Sequence, residues 1–264
     1  QRNSLLEYIR KTAAKTFIPM TVAGGIRSIS DIREILRAGA DKVAINTAAV
    51  QNPNFLKEAA RTFGSQCIVL SVEYYRRRHG GMEVWTDYGR QPTSVDAFDW
   101  IMRAVDLGVG EILLTSINND GMGIGYDLDF TAKVASSVPV PVIAGGGAGK
   151  KEHILEVINR GMADAVSAAS LFHYYYATSP GDKRRWMSFD EPRLRMGESI
   201  DSGNIDFLKE GYGGFREFMV EPTALSELKR YLVENHVPIR PLAKEKREFT
   251  VQATAISEKA EAVT

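Results

Sequence analysis

Short, uniformly apolar runs alternate with longer amphipathic stretches from residue 4 to 173. The runs predict strands at Pro19–Ala23, Lys42–Asn46, Ile68–Glu73, Ile112–Thr115, Val140–Ala144 and Ala165–Ala168. Their hydrophobicity is continuous rather than alternating, which predicts strands covered on both faces, as in a parallel sheet. Helices fall between them. Leu5–Ala14 is amphipathic, and Ser28 or Ser30 can cap a helix carrying Ile32, Ile35 and Leu36, ended by Gly39. Pro53 starts a helix that ends near Gly64, and Ser94 can cap one with Phe98, Ile101 and Val105 on one face, closed by Gly108. Another runs from about Lys151 to Arg160. The regularity stops after Ser170. Residues 174–220 read as an ordered insertion, because Trp186, Phe189, Phe207, Tyr212 and Phe215 are more aromatics than disorder tolerates. A last helix follows within 221–243, capped by Thr223 with Leu225, Leu228 and Leu232 facing a core, and 244–264 read as a flexible tail.

Within this pattern one unit occurs twice. Val22-Ala23-Gly24-Gly25, a helix and Lys42-Val43-Ala44-Ile45-Asn46-Thr47 match Val142 to Gly147, a helix and Asp164 to Ser170. Gly25 precedes Thr47 by 22 residues and Gly147 precedes Ser170 by 23. Glycines let backbone N–H groups approach an anion and the hydroxyl residue adds a donor, so the unit reads as a phosphate site. Two copies suggest a ligand with two phosphates; plain tight turns are the alternative. Six strand–helix units suit a doubly wound sheet or part of a (β/α)₈ barrel, and the repeat favours the barrel. Placing the copies as units 3–4 and 7–8 sets both glycine loops on the C-terminal rim. It also predicts two further units before residue 1, which is Gln. The 264 residues then leave two open strand edges.

Charge narrows the partners. The 33 basic and 33 acidic residues balance, so no nucleic-acid or membrane surface is indicated. The single cysteine, Cys67, lies in an apolar strand and reads as a buried reduced thiol. Without an apolar run of about 18 residues or a readable signal peptide, a soluble cytoplasmic protein is expected. His79, His153 and His236 read as surface residues and His173 as a packing histidine; no spacing supports a metal, and no cofactor is expected.

The ordered segments Ala23-Gly24-Gly25-Ile26-Arg27, Gly39-Ala40-Asp41-Lys42-Val43, Ile45-Asn46-Thr47-Ala48-Ala49-Val50, Gly110-Glu111-Ile112-Leu113-Leu114-Thr115-Ser116, Asp120-Gly121, Gly146-Gly147-Ala148-Gly149 and Ala169-Ser170-Leu171-Phe172-His173 resemble the cyclase subunit family of imidazole glycerol phosphate synthase (HisF). The likeness runs from about residue 17 to 173 and resumes weakly at the last helix. It implies a (β/α)₈ TIM barrel, here lacking its first two βα units, with residues 1–173 spanning helix 2 to strand 8. It also implies a glutaminase (HisH-like) partner on the N-terminal face, whose ammonia crosses the barrel to a bisphosphate substrate in histidine biosynthesis. Gly25, Asn46 and Thr47 would hold one phosphate, and Gly121, Gly147, Ala169 and Ser170 the other. Lys42 and Glu111 would be half of a charged ammonia gate, with an ordinary surface lysine and glutamate as the alternative.

The carboxylates depart from the family. Its second catalytic aspartate corresponds to Glu73, and the first lies in the absent strand. The extra methylene moves the carboxylate by about 1.5 Å, and a displacement near 1 Å can cost about a hundredfold in rate. Asn118 replaces a usual aspartate and can orient substrate but not transfer a proton; Asp120 remains as the other catalytic candidate. Bland alternatives are a Glu73 salt-bridged to a nearby arginine and an Asp120 that caps the next turn. Tyr75 to His79, with three consecutive arginines, is also unlike the family's loop. Two functions remain open at this point: the family's own cyclase reaction, or a specialised paralogue delivering ammonia for amidation of a nucleotide sugar in surface polysaccharide. The latter includes a non-catalytic conduit. The related ribosyl-aminoimidazole isomerase, which needs no ammonia, fits less well because of Glu111 and Lys42.

Overall fold

A computed structural model describes residues 2–178 and 220–240. Contacts divide the chain into two units, residues 1–169 and 170–264. The first holds eight strands: β1 (Thr21–Ala23), β2 (Lys42–Ile45), β3 (Ile68–Arg76), β4 (Met82–Thr86), β5 (Gln91–Asp96), β6 (Glu111–Ser116), β7 (Val142–Gly145) and β8 (Ala165–Val166). Six of them form one parallel path, β1-β2-β3-β6-β7-β8, while β4 and β5 are an antiparallel extension on β3. The parallel strands neighbour each other in chain order. A doubly wound sheet would reverse its order at a switch point, so the path selects the barrel type of α/β sheet.

The helices of this unit are α1 (Arg2–Ala13), α2 (Ile29–Arg37), the short α3 (Thr47–Gln51), α4 (Asn54–Phe63), α5 (Ala97–Asp106), α6 (Leu128–Ala135) and α7 (Lys151–Asn159). Ser28 caps α2 in a full capping box, its hydroxyl accepting from the Asp31 N–H while Asp31 accepts from the Ser28 N–H at 2.9 Å. Asp96, not Ser94, caps α5: its carboxylate accepts from the Phe98 and Asp99 N–H groups at 2.9 and 3.1 Å. Ser94 instead lies within β5. Apolar teeth such as Ile32, Leu56, Ala59, Ile101 and Ile154 are fully buried. Each large one contributes roughly 1.5–3 kcal/mol relative to exposure.

The repeat has a structural cause. Asp41 and Asp164 each precede the second strand of their copy, and each carboxylate accepts from a backbone N–H at the start of the first strand: Met20 at 2.7 Å and Val142 at 2.8 Å. The same residues return a backbone bond to the Met20 and Val142 carbonyls. Each copy is thus closed by one aspartate that sets the parallel register.

Burial in the two central strands differs from the sequence expectation. In β3, Leu70, Val72 and Tyr74 are buried while Ser71, Glu73 and Tyr75 are half-buried; in β6, Ile112, Leu114 and Ser116 are buried and Glu111, Leu113 and Thr115 are not. One face packs under helices and the other opens onto a cavity, so the burial alternates. The β3–β4–β5 hairpin was also absent from the expected elements. Its strands are short, and of the segment Tyr75 to His79 only Tyr75 and Arg76 are paired in β3 while Arg77 to His79 form the turn into β4.

In the second unit, α8 (Ser170–Thr178) and α9 (Leu225–Glu234) are described. His173 lies in α8 and stacks edge-on with Tyr174 at 5.6 Å. Ala224, not Thr223, occupies the cap position of α9, because the Thr223 hydroxyl is turned to the Glu221 carbonyl at 2.9 Å. Leu228 and Leu232 are buried, whereas Leu225 is exposed. Most of the 174–220 insertion and the 244–264 tail lie outside the described residues. Among the described residues no helix is long and apolar enough to cross a membrane.

Candidate functional site

A cavity of about 400 Å³ opens where β1, β2, β3 and β6 end, lined by Gly24, Gly25, Asn46, Thr47, Glu73 and Thr115 among others. The turns after β1 and β2 place the first four. Gly25 has φ of +67°, and a Cβ there would meet nothing within 4 Å. Its glycine therefore serves backbone geometry beside open space. Asn46 sits at the start of α3 but does not cap it; its Nδ2 donates to the Trp85 carbonyl at 3.1 Å, and its buried Oδ1 has no partner. Thr47 Oγ1 accepts from the Asp87 N–H at 3.2 Å.

Glu73 projects into this cavity from β3, opposite Thr115 of β6. Its Oε2 is buried without a hydrogen bond. Burial, then the charges of Asp120 and Asp87, pushes its carboxyl above the ordinary value, with the Gly89 backbone acting the other way. The salt-bridge alternative does not describe it. Arg76 pairs instead with Asp127 at 2.7 Å and Arg77 with Glu83 at 3.0 Å. Asp120 lies in the turn after β6, its N–H donating to the Ser116 carbonyl at 2.9 Å, close enough for its charge to be felt at Glu73. Asp127, not Asp120, caps the following α6, accepting from the Phe130 N–H.

Asn118 has a structural occupation. Its Oδ1 accepts from the Arg76 N–H at 2.7 Å and its Nδ2 reaches the Arg76 carbonyl at 3.4 Å. This continues the β3–β6 ladder, where the Ile117 N–H donates to the Tyr74 carbonyl at 2.9 Å. The amide donates and accepts through separate atoms, so it can clasp both backbone groups of Arg76, which a carboxylate cannot.

The second copy is built differently. A Cβ on Gly147, whose φ is +109°, would lie 2.1 Å from the Gly125 carbonyl oxygen. The Gly125 N–H in turn donates to the Gly147 carbonyl at 2.8 Å. This glycine is demanded by close backbone contact. Gly121 follows Asp120 in its turn, and neither it nor Gly147 lines the first cavity. Ala169 closes the first unit and Ser170 opens the second. His153, read from sequence as a surface residue, packs on Gly125 and its Nδ1 accepts from the Gly149 N–H at 3.2 Å.

At the opposite ends of the strands, Lys42 of β2 and Glu111 of β6 form an ion pair that reaches over β3. Their side chains are 32% and 13% exposed, so this is not a pair of free surface charges. The residues missed by sequence reasoning are Arg27, Asp87 and Tyr88, which share the cavity with Glu73. Arg27 follows the glycine pair by two residues in Gly24-Gly25-Ile26-Arg27 and was the readable one. Asp87 and Tyr88 come from the hairpin and carried no such signal. Among the described residues no cluster of His, Cys, Asp or Glu is suited to a metal ion.

A family model described as "Histidine biosynthesis protein" matches residues 1–178. The chain is 52% identical over 196 residues to imidazole glycerol phosphate synthase subunit HisF of Lachnoclostridium phytofermentans (strain ATCC 700394 / DSM 18823 / ISDg), covering 74% of this chain and 76% of that protein. It belongs to the HisF-like family of histidine biosynthesis proteins. A second member, the HisF subunit of Bacillus cereus (strain G9842), is 49% identical over 184 residues, 70% of this chain and 73% of the relative. The parallel sheet in chain order is consistent with the barrel of this family, and the turns after β1 and β2 lie at the C-terminal ends of its strands.

Proposed function

We propose that this chain is the cyclase subunit of an imidazole glycerol phosphate synthase, using ammonia on a bisphosphate substrate at the C-terminal ends of its strands. Identity near one half to HisF subunits over about three quarters of the chain carries this reading. The six parallel strands are then strands three to eight of a (β/α)₈ barrel. The Gly25–Asn46–Thr47 turns receive one phosphate, chiefly through backbone N–H groups and the Thr47 hydroxyl, because the Asn46 amide already donates to Trp85. Gly121, Gly147 and Ala169 of the first unit are assigned to the other.

Glu73 and Asp120 are the proton-transfer groups. A carboxyl held above its ordinary value in a partly buried cavity suits general acid catalysis, which typically contributes 10²–10⁴-fold. Lys42 and Glu111 form the gate through which ammonia from a HisH-like glutaminase on the N-terminal face reaches the cavity. The protein needs no cofactor or metal and works in the cytoplasm. The test is turnover of the bisphosphate by the complete protein with ammonium salts. Glu73→Gln should lower kcat at least about a hundredfold.

The specialised paralogue remains the second reading, favoured by two observations: Glu73 stands at the usual aspartate, and Asn118 is committed to the Arg76 backbone. Tight glutaminase binding without turnover would select it over the cyclase.

A further inference from the structure

The β4–β5 tip forms one wall of the cavity, with Asp87 and Tyr88 lining it beside Thr47 and Glu73. Asp87, Tyr88 and Gly89 have φ of 51°, 59° and 67° in succession. Two of these residues carry side chains, and such a run persists only where its surroundings hold it. The holding contacts are present. The Asp87 N–H donates to Thr47 Oγ1 at 3.2 Å, the Trp85 carbonyl accepts from Asn46 Nδ2 at 3.1 Å, and Trp85 pairs with Glu73 across β3 and β4. A Cβ on Gly89 would lie 3.8 Å from Glu73 Oε2, so the tip comes within van der Waals reach of the unpartnered carboxylate oxygen.

We propose that Asp87 is a positioning residue of this site, presenting its carboxylate towards Glu73 across the cavity while its backbone holds the Thr47 hydroxyl. The inference rests on Glu73 being the working carboxylate proposed above. The charged groups that share Glu73's surroundings among the described residues are Asp87 on the hairpin, Asp120 on the turn after β6 and Arg27 on the turn after β1; the flanking Ser71 and Thr115 are neutral. Desolvation raises the Glu73 carboxyl most, and the negative charges of Asp120 and Asp87 add to it. Like charges that share a site make ionisation of either costlier. Glu73 therefore keeps its proton to higher pH than an isolated glutamate, and an approaching ligand meets a donor at that position.

The test uses Asp87→Asn, which keeps the backbone N–H and the side-chain shape and removes the charge. Carboxyl-carbon NMR of the full chain labelled at glutamate follows Glu73 directly, its signal assigned by its loss in Glu73→Gln. The Glu73 midpoint should fall by about half a pH unit or more in Asp87→Asn. Asp129→Asn, which lies outside this cavity, controls for the loss of one negative charge and should leave the midpoint in place. In turnover assays the limb of the pH–rate profile governed by Glu73 should move down with it. An unmoved midpoint in Asp87→Asn, or an equal fall in Asp129→Asn, overturns the proposal. The titration is read without substrate, so a shifted midpoint in a protein that never turns over supports Asp87 and sinks the cyclase reading alone.

Discussion

Replacing the same glycine in the two copies of the repeat should have opposite consequences. Gly147→Ala puts a Cβ 2.1 Å from the Gly125 carbonyl oxygen at φ of +109°. The contact is more than 1 Å too short, so one backbone must move, and the Gly125 N–H bond to the Gly147 carbonyl at 2.8 Å goes with it. Backbone strain of about 1–3 kcal/mol and a lost hydrogen bond of about 1 kcal/mol give a cost of about 2–4 kcal/mol. For a domain of this size that is a fall in Tm of about 10 °C. Gly25→Ala also pays a left-handed penalty, at φ of +67°, but meets nothing within 4 Å. Its cost is about 1–2 kcal/mol, and its methyl projects beside the cavity where a phosphate would approach. Thermal and urea unfolding of both variants, with phosphate-ligand affinity measured on each, separates the two roles. Gly147→Ala should be the unstable one, and Gly25→Ala should stay folded while binding more weakly. Equal destabilisation of the two, or a Gly147→Ala protein that melts within a few degrees of the parent, refutes the claim that close backbone contact dictates Gly147.

Because the folded-state carboxyl of Glu73 is raised above its ordinary value of 4.5, the folded protein binds that proton more tightly than the unfolded chain. Stability contributed at this site is therefore present below the ordinary value and declines as pH rises through the window above it. Glu73→Gln should melt no lower than the parent at pH 7 while losing activity, and its advantage should vanish near pH 4; a variant less stable at pH 7 contradicts this. Asn118→Asp, which restores the family's carboxylate, removes the donor to the Arg76 carbonyl and sets two acceptors face to face. It should cost about 1–2 kcal/mol in urea unfolding and loosen the start of the hairpin in hydrogen exchange, and unchanged protection at Arg77 would argue against the clasp.

The repeat was legible because it is written in glycines and hydroxyl residues at near-equal spacing, whereas the aspartates that close each copy, acting on backbone about 22 residues away, emerged only from the fold. Strand positions followed from apolar runs, but the alternation within β3 and β6 did not, since Leu113 and Thr115 face a cavity whose walls come from four strands. The hairpin was the larger gap. Met82–Thr86 is a five-residue run interrupted by Glu83 and Gln91–Asp96 has Val95 as its one large apolar residue, and they are strands because β3 runs on past Glu73 and offers its edge. That same extension brings Asp87 to Thr47 and Gly89 to Glu73. The β4–β5 tip, which the sequence reading did not identify, is therefore the link between the first phosphate turn and the carboxylate. Of the three arginines after Tyr75, Arg76 pairs with Asp127 and Arg77 with Glu83, and neither pairs with Glu73. The identity of Glu73 could be read from one position, but its protonation could not, because that depends on which charges the hairpin and the β6 turn bring beside it.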